Sequence, residues 1–355
     1  LYLYRENLLK NRLKKLKEAI MRIGILTAGG DCPGINATIR GVCKTAINHY
    51  HFEAVGIHGG FTGLLEKDVE IFNDHTSSGL LNLGGTILGT SREKPFQKID
   101  GQLTDKPRII INNMKELGID CLVCIGGNGT QKTAAKFAAM GVPIVGIPKT
   151  IDNDIWGTNF SFGFDSAVNI ATDAIDRLHS TASSHKRVMV IEVMGHKAGW
   201  IALYSGMAGG GDVILLPELP YDINNITATI KRRIEHGKYF SIIVVAEGVK
   251  TPSEGRPSEY IARSIEESIG VETRVTVLGY IQRGGSPTPF DRNLATRMGG
   301  HATEMIANGE FGRMVIYRSD EMSSIPLSDV AGKLKLVTEN NDLIVEGKHM
   351  GICFG

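Results

Sequence analysis

The chain has 355 residues, 42% of them hydrophobic, with Lys+Arg 39 against Asp+Glu 38 and a net charge of +1. That is enough chain and enough apolar content for two ordinary domains with their own cores, and the near-neutral balance gives no global field to draw it to nucleic acid or a membrane surface, so any anion must be bound locally. The five cysteines, Cys32, Cys43, Cys121, Cys124 and Cys353, are scattered and odd in number, which fits a reduced cytoplasmic setting rather than a disulfide framework, and no apolar run approaches the ~18 residues of a membrane span.

Residues 1–20, LYLYRENLLKNRLKKLKEAI, hold six basic and two acidic residues, with Leu9, Leu13, Leu16 and Ile20 at helical spacing. One amphipathic helix is expected there, packed on the body or on a neighbouring subunit. Met21 directly precedes the first core strand, so this stretch reads as an N-terminal extension or as the start of a trimmed chain.

From Met21 onward, strand, glycine-rich turn and helix repeat. RIGILTA (22–28) leads into GGDCPG and a helix from Ile35 to about Asn48, and CLVCI (121–125) leads into GGNGT and the helix QKTAAKFAAM. VPIVGI (142–147) leads into PKTIDND, with a helix from about Asp165 to Ser180. Further strands are read at 187–193, 212–217, 240–248, 274–281 and 313–317. Continuous Val/Ile runs separated by helix-length segments describe parallel strands buried on both faces. This is a doubly wound α/β architecture, with strands enough for two sheets.

Ligands of such sheets bind at the carboxyl ends of the strands. Gly29-Gly30-Asp31-Cys32-Pro33-Gly34 sets bare backbone N–H groups at a helix N-terminus, which suits a phosphate, although glycine also serves a plain tight turn. Gly126-Gly127-Asn128-Gly129-Thr130 repeats the arrangement at a second strand end. PKTIDND then sets out Lys149, Thr150, Asp152, Asn153 and Asp154, more chemistry than a solvent turn needs. Phosphoryl transfer requires a carboxylate for the attacking hydroxyl, a cation for the phosphates and donors for the moving charge. Of two carboxylates two positions apart, one can take the proton while the other faces a hard cation such as Mg²⁺. Cys121 and Cys124 have metal-ligand spacing but lie within a buried strand without a second pair, and Trp156 and Trp200 read as packing.

In order along residues 22 to about 320 stand TAGGDCPGINATIRG, GGTILGTSR, IGGNGT, PKTIDND, SSHKR, EVMG, ETRVTVLGYIQRGGSP and DR. Together these resemble the motifs of the 6-phosphofructokinase family, in its PKTIDND-containing branch, over most of the chain. The resemblance implies phosphoryl transfer to the 1-hydroxyl of fructose 6-phosphate with Mg²⁺ as cofactor, in a cytoplasmic glycolytic kinase. It implies a homo-oligomer, dimer or tetramer, with no nucleic-acid partner. It also implies two Rossmann-like doubly wound domains with the active site in the cleft between them. Residues 21–163 with about 276–326 would handle the phosphoryl donor, and about 164–275 with 327–355 the sugar phosphate.

Carried over residue by residue, the resemblance makes Asp152 the base that deprotonates the sugar 1-hydroxyl, Asp154 its partner towards metal and substrate, and Thr150 a contact to the reacting groups. Gly30, Arg92, Asn128, Gly129, Thr130 and Lys149 would hold the donor, with the metal on Asn128 and Asp154. Arg187, Arg274 and Arg283 would grip the 6-phosphate, the first two from a neighbouring subunit, and Met194, Gly195, His196, Glu247 and Tyr280 would line the sugar.

Three positions depart from the bacterial ATP-dependent pattern. Asn128 stands where a carboxylate is expected, His196 where the family has an arginine facing the transferred group, and Tyr280 where histidine is common. These departures keep a catalytically silent sugar-phosphate sensor open, and Asp152 argues against it. A kinase of the NAD or lipid type would share the glycine-rich loop but has no reason to carry QRGGSP and PKTIDND. The donor signals are divided. Gly129 leaves room for the α-phosphate of ATP where pyrophosphate-dependent members place Asp, whereas Lys149 matches the pyrophosphate-dependent form. Steric exclusion is harder to evade than an added cation, so ATP is expected, with pyrophosphate the alternative.

Overall fold

The computed structural model of the protein describes residues 20–99, 101–252 and 254–355, so all but the last residue of the expected N-terminal helix lies outside the described residues. In chain order the first unit is built from β1 (Arg22–Ala28), α1 (Ile35–Thr45), β2 (Glu53–Ile57), α2 (Phe61–Glu66), β3 (Val69–Phe72), the short hairpin β4 (Lys98–Ile99) and β5 (Gln102–Leu103), α3 (Lys106–Glu116), β6 (Cys121–Gly126), α4 (Asn128–Ala139) and β7 (Ile144–Pro148). The second follows as α5 (Phe164–His185), β8 (Val188–Val193), α6 (Trp200–Ala208), β9 (Val213–Leu215), α7 (Ile223–Glu235), β10 (Ser241–Ala246), α8 (Pro257–Ile269) and β11 (Thr273–Val277). The chain then returns to the first unit with α9 (Pro289–Ala307), β12 (Arg313–Arg318), β13 (Glu321–Pro326) and α10 (Leu327–Val330), and ends on the second with α11 (Asp342–His349).

Two sheets result, as in a pair of Rossmann-like units. The larger has the order β13-β12-β7-β6-β1-β2-β3 and the smaller β11-β8-β10-β9. Strands β6, β8 and β10 are buried at every position, the requirement of a parallel strand covered by helices on both faces. The smaller sheet is parallel throughout. In the larger one, the two edge strands run antiparallel, β3 on β2 and β13 on β12. An antiparallel pair can be joined by a short connection, which the Ser319-Asp320 turn provides between β12 and β13, whereas β2 reaches β3 through α2.

Several elements differ from the expectations. The helix expected from Ile35 to Asn48 is α-helical only to Thr45 and continues as a π turn over Ala46–Tyr50. The long helix begins at Phe164 and runs on to His185. The strand expected over 274–281 stops at Val277, and Gly279–Arg283 coils into a 3₁₀ turn. Buried Gln282 holds that turn closed, donating to the Gly279 carbonyl at 3.1 Å and accepting from the Met194 N–H at 3.4 Å. The turn aims Arg283 back at the larger sheet. There α9 lies against α1 so closely that a Cβ on Gly41 would sit 2.6 Å from the Thr296 carbonyl oxygen, which fixes the return segment against the helix following the first glycine-rich loop.

The chain thus passes between the sheets after β7, after β11 and after α10. The last passage ends with Cys353 pairing beside β9, where the Ile214 N–H donates to the Cys353 carbonyl at 2.8 Å and the Cys353 N–H to that of Asp212 at 3.0 Å. Among the described residues no helix is long and apolar enough to cross a membrane.

Candidate active site

Strand β1 leads outward to β2, whereas β6 leads the other way to β7. The connections therefore diverge between β1 and β6, the topological switch point at which open α/β sheets leave a crevice. A cavity of about 410 Å³ opens there. It is lined by Gly30, Arg92, Asn128, Gly129, Thr130, Lys149, Thr150, Asp152, Asp154, His196 and Arg283, so eleven of the expected site residues come together from widely separated positions.

The loop after β1 is held from both sides. The Gly29 N–H donates to the Ser91 carbonyl at 3.1 Å, and the Thr90 hydroxyl donates to the Gly29 carbonyl at 2.7 Å. Arg283 donates through Nη1 to the Asp31 carbonyl at 3.0 Å. Its guanidinium packs so close to Gly30 that a Cβ there would lie 2.3 Å from Nη1 and would have to displace the end of the arginine. The Nε of Arg283 is buried without a partner.

The second glycine-rich stretch is the cap and first turn of α4, which starts at Asn128, three residues earlier than the sequence pattern indicated. Its first N–H groups lack intrahelical partners and face the cleft, as an anion site requires. The Thr130 hydroxyl ties the turn to β1 by donating to the Ala28 carbonyl at 3.3 Å. Gln131 donates to the carbonyls of Gly126 and Ile147, both at 2.9 Å, locking the ends of β6 and β7 together. A Cβ on Gly129 would meet nothing within 4 Å.

In PKTIDND each side chain has its own task. Lys149 is buried and donates to the Gly30 carbonyl; burial pulls its ammonium below the usual lysine range. Thr150 accepts the Asp152 N–H on its hydroxyl oxygen at 3.1 Å. Asn153 adopts φ +50°, a conformation asparagine tolerates better than most residues. Its side chain accepts from the Ser161 N–H at 3.1 Å and donates to the Asn159 carbonyl at 3.3 Å, so the asparagine pins the loop while the aspartates face the cleft. Burial, and then the neighbouring Asp154 carboxylate, push Asp152 up to about 6 against the opposing pull of Arg283. Burial also raises Asp154, with His196, the Asn128 amide and Lys335 working in the other direction. Lys335 itself is drawn down to about 7 by burial, which Asp154 resists.

Among the described residues no cluster of three or more His, Cys, Asp or Glu forms a metal cage. Oδ1 of Asn128 and Oδ1 of Asp152 are nevertheless buried without partners on the wall that also carries Asp154. Unpartnered oxygens beside a carboxylate suit a hard cation that completes its shell with substrate oxygens and water.

The other expected residues stand outside the cavity. His196, at φ +53°, donates its N–H to Glu247 Oε1 at 2.8 Å, which brings Glu247 up behind the cleft, and Met194 and Gly195 immediately precede it. Arg187 and Arg274 both pair with Glu272, the former at 2.6 Å. They sit at the amino ends of β8 and β11, and a six-residue strand such as β8 is about 20 Å long; neither lines this cleft. Tyr280 is 76% exposed. Sequence reasoning missed Phe61, Ser91, Glu93 and Lys94 on the cavity wall, the last three flanking Arg92 in the same stretch. It also missed Lys335, which alternates with Leu334 and Leu336 in a stretch with no motif.

A raised carboxyl pKa has a cost in stability. The folded value of Asp152 lies above the unfolded one, so stability should fall as the pH rises from about 4 to about 6 and stay lower above that. Asp152→Asn removes this dependence and should make the ligand-free, metal-free protein more stable than wild type at pH 8, by no more than about 3 kcal/mol. Urea unfolding at pH 5 and pH 8 measures it, and a variant weaker than wild type at pH 8 contradicts the assignment of an ionised, poorly solvated Asp152.

Comparison with known proteins agrees with this geometry. The phosphofructokinase family profile matches residues 22–306. The chain is 74% identical over 337 residues to "ATP-dependent 6-phosphofructokinase 3" of Bacteroides thetaiotaomicron, covering 94% of this chain and 100% of that protein. It is 51% identical over 361 residues to "ATP-dependent 6-phosphofructokinase" of Spirochaeta thermophila, covering 96% and 99%. The solved phosphofructokinase of Saccharomyces cerevisiae superposes with a TM-score of 0.80 at 31% identity over 88% of this chain and 45% of the yeast one, so the chain spans under half the length of that relative. Pyrophosphate-dependent phosphofructokinase of Marinobacter aquaeolei gives a TM-score of 0.81 over 95% of this chain and 89% of its own, but at 24% identity that is a likeness of fold. With the family profile spanning both sheets and a bacterial relative identical at three positions in four, the chain belongs to the phosphofructokinase family.

Proposed function

We propose that the protein transfers the γ-phosphoryl group of ATP to the 1-hydroxyl of fructose 6-phosphate, giving fructose 1,6-bisphosphate and ADP, as a cytoplasmic glycolytic enzyme. The observation that carries this reading is the half-buried Asp152 beside the buried Asp154 at the switch point, in one cavity with the glycine-rich loop after β1 and the N-terminus of α4. The names of the most similar curated relatives support it. A silent sensor would have no use for a desolvated carboxylate with an unpartnered oxygen aimed into the cleft.

In this reading the large sheet carries the donor and the smaller one presents the sugar phosphate. The N–H groups of the first turn of α4, with Gly30, Arg92 and Thr130, cradle the donor phosphates, and Lys149 neutralises part of their charge. Asp152, ionised above about pH 6, accepts the 1-hydroxyl proton as the oxygen attacks, and Thr150 holds the backbone that orients it. Asp154 and Asn128 would hold Mg²⁺, whose chemistry is to neutralise charge on the donor phosphates. His196 faces the transferred group from the second unit, and Arg283, on the turn between the units, serves the sugar 6-phosphate. Glu247, Met194, Gly195 and Tyr280 lie along the approach of the sugar. Arg187 and Arg274, at the far ends of their strands, serve the sugar 6-phosphate of a neighbouring subunit, so the active unit is an oligomer, a dimer or tetramer.

Gly129 supports ATP as the donor. Nothing stands within 4 Å of where its Cβ would be, so this side of the helix turn is open to the rest of a nucleotide. An aspartate would project a carboxylate into that space. Lys149 spends one of its three N–H donors on the Gly30 carbonyl and keeps the others for donor phosphates, a cation that tolerates either donor.

Three outcomes test the reading. In a coupled assay with fructose 6-phosphate, ATP and Mg²⁺, Asp152→Asn should keep sugar-phosphate binding and lose at least the ~10²–10⁴-fold of a positioned base in kcat; a loss below about tenfold in the folded variant removes Asp152 from that role. Sedimentation of active enzyme should find only oligomers, and full activity in a monomer would sink the shared site. Gly129→Asp should sharply lower kcat/KM for ATP and raise the relative use of pyrophosphate. Wild-type enzyme that uses pyrophosphate as efficiently as ATP overturns the donor and leaves the sugar phosphate in place.

A further inference from the structure

Residues 333–337 carry the chain from the larger sheet to the smaller one directly behind the aspartate loop, and they are bonded to both sides on the way. Leu334 bridges to Ile155. The Lys335 N–H donates to the main-chain carbonyl of Asp154 at 2.9 Å, and its ammonium extends along the same loop to the carbonyls of Thr158 at 3.0 Å and Asn159 at 2.6 Å. From the other unit, the Trp200 indole N–H donates to the Lys335 carbonyl at 2.8 Å, and the lysine ammonium stands 5.3 Å from the centre of that ring, within cation–π range. Two residues on, the Val337 N–H donates to Glu218 Oε1 at 3.0 Å, and this carboxylate also accepts the Gly199 N–H. Trp200 opens α6 only four residues after His196.

Plain packing does not account for this pattern. A lysine that only filled space would lay its stem on the surface and leave its ammonium in water. Here the ammonium is taken by two carbonyls of one unit while its own carbonyl is taken by an indole of the other. Both partners lie a few residues from groups that face the cleft.

We propose that Lys335 is a positioning residue for phosphoryl transfer, holding the Asp152 to Asn159 loop of one unit in register with the His196 to Trp200 turn of the other. The proposal rests on the phosphoryl-transfer reading above. Substrates are gripped mainly by other residues, so loosening this tie should leave binding almost untouched and misplace the reacting groups, which lowers kcat with little change in KM.

Two variants attack the tie from opposite sides. Lys335→Met keeps an apolar stem over the indole but removes the ammonium, and Trp200→Phe removes the indole N–H while keeping a ring; either serves if the other fails to fold. Hydrogen exchange on the ligand-free protein should quicken by about tenfold or more in both 152–159 and 195–201, because the two segments are loosened together. Steady-state rates should fall at least about tenfold in kcat, with KM for ATP and for fructose 6-phosphate within about threefold. Faster exchange in only one segment or in neither overturns the proposal, as does an unchanged kcat. If wild-type protein itself makes no fructose 1,6-bisphosphate, the functional reading falls, while the exchange pattern still decides whether the tie exists.

Discussion

Two carboxylates placed two positions apart and taken largely out of water are the constraint around which the molecule is arranged. Neither Asp152 nor Asp154 is neutralised by a close ion pair among the described residues, and burial works against the charge of both. Such an arrangement survives only where the backbone is over-determined. Asn153 fastens the loop to Ser161 and Asn159, Thr150 caps the Asp152 N–H, and Lys335 backs the Asp154 carbonyl. The strain lies in the electrostatics, and the hydrogen bonds around it keep the loop from relaxing into water.

The positive charge is distributed accordingly. Arg283 and Lys149 stand beside the aspartates but spend donors on main-chain carbonyls of the β1 loop, which holds them near an incoming anion without collapsing onto the carboxylates. Arg187 and Arg274 are kept apart at the opposite ends of their strands, joined through Glu272. His196 reaches the cavity wall from a left-handed backbone conformation, its N–H tied to Glu247.

Most of the site could be read from the sequence because its parts are local: a buried Val/Ile run followed by glycines or by clustered polar residues marks a strand end whichever fold surrounds it. The doubly wound architecture followed from the same runs. What could not be read is long-range or conformational. Nothing in GGNGT distinguishes a loop from a first helical turn, because its N–H groups are free in either case. The run RVTVLGYI reads as one strand, yet it breaks at Gly279, which takes φ +52°, and Gln282 bonds both Gly279 and Met194, the latter 88 residues away, to coil the end. Lys335 belongs to no motif, and its four partners, Asp154, Thr158, Asn159 and Trp200, are spread over two units. Trp156 and Trp200, read as packing, each face a lysine of the same passage, Lys333 and Lys335.

The three passages between sheets also bear on how the chain is made. Strand β1, at the heart of the larger sheet, leaves the ribosome early, but β12 and β13, which complete that sheet beyond β7, are not available until about 290 residues later. The smaller sheet is flanked by Cys353, so it too waits for the last part of the chain. Neither half is a contiguous stretch of message. Vectorial synthesis therefore cannot finish one unit before starting the other, and half-built sheets with open edges must be tolerated for most of translation. A fold wired in this way resists being cut into cassettes, and its two halves are constrained to change together.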